Sequence, residues 1–186
     1  MKSYLFLILI LIGTISYSKN HFDAQLCFEK GFEYHKLELF NDVVNSINYN
    51  GFNFNLYYRR NVITNKLDLS IGIGVRCYDI DAVLVSSSLK GYFIKPQFSI
   101  VASYLLSEKS SINLGAQAEN TKDINDFENE TTDLLSYSAL VEYSFKLTNK
   151  LSVLANYKQG FYPMIDIYRM ENPSSVIGVG VKYSLK

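Results

Sequence analysis

Residues 135–147 read Leu135-Ser136-Tyr137-Ser138-Ala139-Leu140-Val141-Glu142-Tyr143-Ser144-Phe145-Lys146-Leu147. Every odd position is apolar, and serine, glutamate and lysine hold five of the six even ones. A helix needs apolar residues three and four apart, whereas a period of two lines them along one side of an extended strand. The mean strand of a soluble protein has about 5–6 residues. A strand tilted across a bilayer needs about 9–11. This stretch therefore predicts a membrane-length strand that is apolar on one face throughout.

Working outward, the same scheme recurs. Leu67, Leu69, Ile71, Ile73 and Val75 alternate with Asp68, Ser70, Gly72, Gly74 and Arg76. Tyr92, Ile94, Pro96, Phe98, Ile100, Ala102 and Tyr104 stand opposite Phe93, Lys95, Gln97, Ser99, Val101 and Ser103. Residues 24–35, 51–60, 111–120, 151–160 and 175–186 fit the same period, which makes about eight strands of the length that spans a bilayer. Connections alternate as well. Short turns fall at 61–65, 107–110 and 148–150, and long ones at 36–50, 79–88, 121–133 and 161–174. Outer-membrane meanders have this asymmetry, with short periplasmic turns and long external loops, and an even strand number leaves both chain ends on the short-turn side.

Ahead of the strands, Met1 and Lys2 precede an apolar run from Tyr4 to Ile12, then Gly13, Thr14, Ser16 and Ser18. That is the layout of a cleaved secretory signal. The run is too short for a spanning helix, which takes about 20 residues. The expected organisation is a signal peptide over 1–18, a short tail over 19–23 and a barrel over 24–186. No later stretch is long and apolar enough for a membrane helix, so a membrane protein of this sequence must be a barrel. Among 186 residues, 18 Lys+Arg balance 18 Asp+Glu, which gives no support to a nucleic-acid surface. Tyrosine and phenylalanine number 15 and 12 against 3 prolines, a strand-rich inventory. Cys27 and Cys77 fall on opposite faces of non-neighbouring strands, which argues against a disulfide, and neither has metal-ligand spacing around it.

A soluble ligand-carrying barrel of lipocalin type shares the period but turns its apolar face inward. The polar face, with strand length and loop alternation, favours the membrane barrel and leaves the soluble ligand carrier as the alternative. It carries Gly72, Gly74, Gly115, Gly178 and Gly180 with serines and asparagines, residues that suit the crowded lumen of an eight-stranded barrel. Lys30, between Phe28 and Phe32, falls on the apolar face, where a bulge at Gly31 or snorkelling to the interface would relieve it.

The chain resembles the small eight-stranded outer-membrane barrels of the OmpA/OmpX type and the outer-membrane β-barrel domain family. Its last strand, Ile177, Val179, Val181, Tyr183 and Leu185, is similar to the C-terminal recognition strand of such proteins, although it ends on Lys186 where an aromatic residue is usual. The resemblance covers residues 24–186 as a pattern and carries no motif of a functional subfamily. It implies an all-β antiparallel transmembrane barrel in the outer membrane of a Gram-negative-type bacterium. It also implies insertion by the outer-membrane assembly machinery and contact with outer-membrane lipid and lipopolysaccharide. Fold alone says nothing of activity.

The expected lumen collects Glu29, Glu33, His35, Arg59, Arg76, Lys95, Glu119, Glu142, Lys158 and Lys182, with Gln97, Gln117, Asn53, Asn55 and Tyr78. Ionic groups inside a narrow barrel must be paired, so mixed signs predict a salt-bridged plug in a non-enzymatic protein. A narrow pore for solutes or ions is the alternative. A second alternative is a lipid-modifying hydrolase or acyltransferase with His35 as general base beside Glu33 and Ser46, though neighbours in sequence do not make a catalytic geometry. No cofactor or metal is implied. The acidic loop of Asp123, Asp126, Glu128, Glu130 and Asp133 lacks calcium-loop spacing. Phe40, Val43, Val44 and Ile47 have helical spacing and suggest a short amphipathic helix over the barrel mouth. Phe161, Tyr162, Met164 and Tyr168 make the last loop apolar and are candidates for contact with an extracellular partner, whose identity the sequence does not give.

Overall fold

The computed structural model describes residues 20–32, 38–39, 42–63, 66–84, 88–121, 134–161 and 175–185. The strands are β1 (Asn20–Phe32), β2 (Glu38–Leu39), β3 (Asp42–Ile63), β4 (Leu67–Leu84), β5 (Ser88–Leu105), β6 (Ser110–Thr121), β7 (Leu134–Lys146), β8 (Leu151–Phe161) and β9 (Ser175–Ser184). Apart from the two-residue β2, each pairs antiparallel with its sequence neighbours, and β1 pairs with both β3 and β9. The sheet is therefore a closed ring of eight strands. No helix among the described residues is long and apolar enough to cross a membrane.

Register fixes the shape of the ring. From Phe22 the paired residues run Tyr58, Ile71, Ile100, Ala116, Ala139, Gln159 and Ser175, then return to β1 at Phe32. One circuit climbs ten residues, from 22 to 32. With strands about 4.8 Å apart rising about 3.3 Å per residue, that stagger requires a tilt of about 40°. The ten steps from Leu67 to Cys77 on β4 then cover about 25 Å along the barrel axis, the height of an outer-membrane apolar band.

The faces divide as the alternation predicts. Phe22, Leu26, Phe54, Ile73, Ile100, Leu114, Val141 and Val179 are all exposed on the outer wall, while asparagine, glutamine, serine and charged side chains are buried inside. That is the reverse of a ligand-carrying soluble barrel. Glycines let the inner face close up: a β-carbon on Gly72 would sit 2.5 Å from the Tyr57 ring, and one on Gly180 would clash with the Leu26 carbonyl. Two tight turns share one device. The Ser107 hydroxyl accepts from the amides of Lys109 and Ser110, and the Thr148 hydroxyl accepts from those of Lys150 and Leu151.

Several boundaries differ from the sequence expectation. β1 begins at Asn20, so residues 20–23, expected as tail, are strand, with Asp23 paired to Tyr57 and Ser184. The expected helix near 43–47 is instead the start of β3, where ladder pairing to β4 outweighs a short helical period. Much of the expected long loops 36–50 and 79–88 is likewise strand, since β3, β4 and β5 continue past their neighbours. Their pairing with β6 stops below them: the β5–β6 ladder reaches up only to Gln97, next to Pro96, which has no N–H to donate. The rows above the apolar band are polar outside. Lys30 pairs with Asn50 and Asn50 with Asp79, and in the next row Asn48, Asp81 and Lys90 follow one another. Lys30 thus sits at the band's outer edge, and the register through Gly31 runs without a bulge.

Candidate functional site

The lumen is filled in layers. Near the long-strand end, β1 supplies Glu29, whose carboxylate lies 2.8 Å from Arg76 Nε of β4 and 2.7 Å from Lys158 Nζ of β8. Asn53 of β3 donates to the same carboxylate at 2.9 Å. Arg76 also reaches Glu119 of β6 at 3.3 Å. The Arg76 guanidinium and the wholly buried Lys95 lie 5.1 and 5.4 Å from the centroid of the Tyr78 ring. The Tyr49 and Tyr78 rings, 6.2 Å apart and both buried, lie beyond. Charges this far from water persist only when paired and hydrogen-bonded, as these are.

Below comes an amide layer. Asn55 donates to Asn53 at 2.7 Å and Gln97 donates to Asn55 at 2.6 Å, while Gln117 donates to Gln97. Tyr57, Val101 and Leu140 then form an apolar cluster, and a second carboxylate lies close by. Glu142 accepts from Lys182 at 2.8 Å, Asn113 at 2.7 Å, Gln25 at 2.9 Å and Ser144 at 3.1 Å. At the short-turn mouth Arg59 bridges Asp23 at 2.9 Å and Asp68 at 3.3 Å. A vestibule of about 50 Å³ opens there.

Of the expected lumen residues, Glu29, Arg76, Lys95, Glu119, Glu142 and Lys158 are buried inside the ring, and Arg59 and Lys182 are partly buried within it. Glu33 and His35 lie outside the described residues, as do residues 1–19, the acidic loop, Tyr162, Met164 and Tyr168. Phe161 ends β8 on the outer wall, exposed. Ser46 falls in β3. Sequence reasoning missed Asp23, Asp68, Gln25 and Asn113 as partners in the network. Carrying the period of two back from Cys27 through Gln25 to Asp23 would have found two of them. Cys27 is buried inside and Cys77 sits on the opposite face of β4. No group of three metal-ligating side chains occurs among the described residues.

No protein-family model and no curated protein matches the sequence. Solved structures do match. The outer membrane protein Ail of Yersinia pestis in a phospholipid bilayer nanodisc superposes with a TM-score of 0.51 at 13% identity, over 90% of this chain and 100% of that one. The chain has the fold of the small outer-membrane barrels. Ail crystallised with the heparin analogue sucrose octasulfate gives 0.50 at 16% identity, over 90% and 99%. OprG of Pseudomonas aeruginosa gives 0.50 at 8%, over 91% and 97%. At such identities the likeness to the outer-membrane barrels extends to architecture and stops there.

Proposed function

We propose that this chain is a non-enzymatic protein of the outer membrane of a Gram-negative-type bacterium. Its lumen is a rigid structural plug, and its long-strand end presents the surface for structural or binding partners. The basic start and apolar run of residues 1–18 support export, and the outward apolar band with its polar upper rows supports contact with lipid and lipopolysaccharide. The observation that carries the plug is Glu29 held between Arg76 and Lys158, with Glu119 on the far side of Arg76. An ion crossing the lumen must part these pairs, and breaking one buried pair costs about 3–5 kcal/mol. On the outer side, β3 to β5 rise past the band, and Phe161, Tyr162, Met164 and Tyr168 are the residues proposed to meet a partner.

The test is planar-bilayer recording of protein first shown to be folded by its different gel mobility before and after boiling. The expected result is a silent membrane. Discrete unitary currents from the folded form would replace the plug by a pore.

A further inference from the structure

The vestibule at the short-turn mouth plays no part in the plug or in the outer surface. Its walls differ. On one side Arg59 is neutralised by Asp23 and Asp68. The opposite wall, built by β5 to β8, carries hydroxyls and lysines. Ser111 pairs across the ladder with Ser144, and Lys146 pairs with Ser152. The amide of Lys146 donates to the carbonyl of Lys109 at 2.7 Å, which brings both lysines to one stretch of rim.

Charge and hydrogen bonding on that wall are unspent. Four cations line the vestibule, Arg59, Lys109, Lys146 and Lys182, against the three carboxylates of Asp23, Asp68 and Glu142. The inner two cations are paired with those carboxylates. Among the described residues, neither Lys109 nor Lys146 has an ion-pair partner, and the side-chain hydroxyls of Ser111 and Ser152 have no hydrogen-bond partner. The space is about 50 Å³, where one water needs about 10–15 Å³ by the same measure. That holds a group of four or so oxygens. The apolar floor of Tyr57 and Leu140 keeps bulk water from one side and strengthens any charge-assisted bond made above it.

We propose that the vestibule binds a phosphate-type oxyanion, held by Lys109 and Lys146 and accepting hydrogen bonds from Ser111 and Ser152. A lysine ammonium suits phosphate as a point charge, and hydroxyl donors favour an oxyanion over a halide. The anion is either a free phosphate group or the headgroup of an anionic phospholipid from the adjoining leaflet.

Amide chemical shifts of the folded barrel in neutral maltoside micelles test this, with inorganic phosphate titrated against chloride at matched ionic strength. Short-chain phosphatidylglycerol is added in a second arm. Saturable shifts centred on Ser111 and Ser152 with phosphate, weakened about tenfold or more in the Lys109→Ala/Lys146→Ala double variant, are expected. If phosphatidylglycerol produces the same shifts and displaces phosphate, the headgroup is the ligand; if it does neither, the soluble group is. The proposal falls if neither probe gives saturation, if chloride does as well as phosphate, or if the double variant, folded by its gel shift, responds unchanged. The two exposed rim lysines lie outside the plug, so this outcome is independent of the conductance result.

Discussion

The two ionic clusters in the lumen use the same chemistry at different depths. In the upper one, the side chains of Glu29, Arg76 and Lys158 are 2 to 6% exposed, and one carboxylate serves two cations. In the lower one, the carboxylates of Asp23 and Glu142 are as buried, but their cations are not: Arg59 at the mouth is 22% exposed and Lys182 is 20% exposed. Water can take over for these cations when a carboxylate partner is lost. It cannot do so at Glu29, where the alternative to the ion pair is an uncompensated buried charge. Depth, more than the count of salt bridges, should therefore rank their importance.

The largest expected effect follows from Glu29→Gln, which keeps the shape but strands Lys158 and leaves Arg76 with Glu119 alone. Folded protein should lose about 3–5 kcal/mol. The chain has no tryptophan, so urea unfolding is best followed by the gel shift of unboiled samples. A loss under about 1 kcal/mol would break the contrast between the clusters, because it would put Glu29 in the range of solvated pairs. Asp23→Asn should cost about 1 kcal/mol or less, because the part-exposed Arg59 keeps Asp68 and water, and the difference from wild type should shrink in 1 M salt, where screening reaches the mouth but spares the Glu29 cluster. The smallest effect belongs to the outer wall. Lys30→Leu should change stability by no more than about 0.5 kcal/mol, as expected for a group already at the interface. A gain of about 2–4 kcal/mol would mean that Lys30 sits at midplane depth after all.

Much of the wall was legible in the sequence because lipid enforces a strict period of two. β7 carries it without a break from Leu135 to Phe145, and the structure has β7 at Leu134–Lys146. Legibility failed where that constraint ends. Above the band the outer face of β3 and β4 turns polar, as at Asn48, Asn50, Asp79 and Asp81, while the inner face carries the buried rings of Tyr49 and Tyr78, so the apolar and polar sides of the alternation exchange while ladder pairing continues. The expected helix at 43–47 and the overlong loops arose from that. In the lumen, the side of the wall on which Glu29, Arg76 and Glu142 lie was readable from parity. Their partners were not, because Glu29 and Lys158 are brought together by ring closure across most of the chain, and a single sequence does not show the stagger. Asp23 was missed for a simpler reason: its strand starts before the apolar alternation becomes evident.

The seam between β1 and β9 joins the first described strand to the last, from Asp23 with Ser184 to Phe32 with Ser175. Until it forms, both strands carry a row of amides and carbonyls with no partner, and hydrocarbon offers none. The other ladders are hairpins between consecutive strands, cheap to close, but this one must wait for nearly the whole chain. Closing that seam is thus the long-range step in forming the barrel. Glu29 waits on it too, because Lys158 on β8 reaches that carboxylate only across the closing seam.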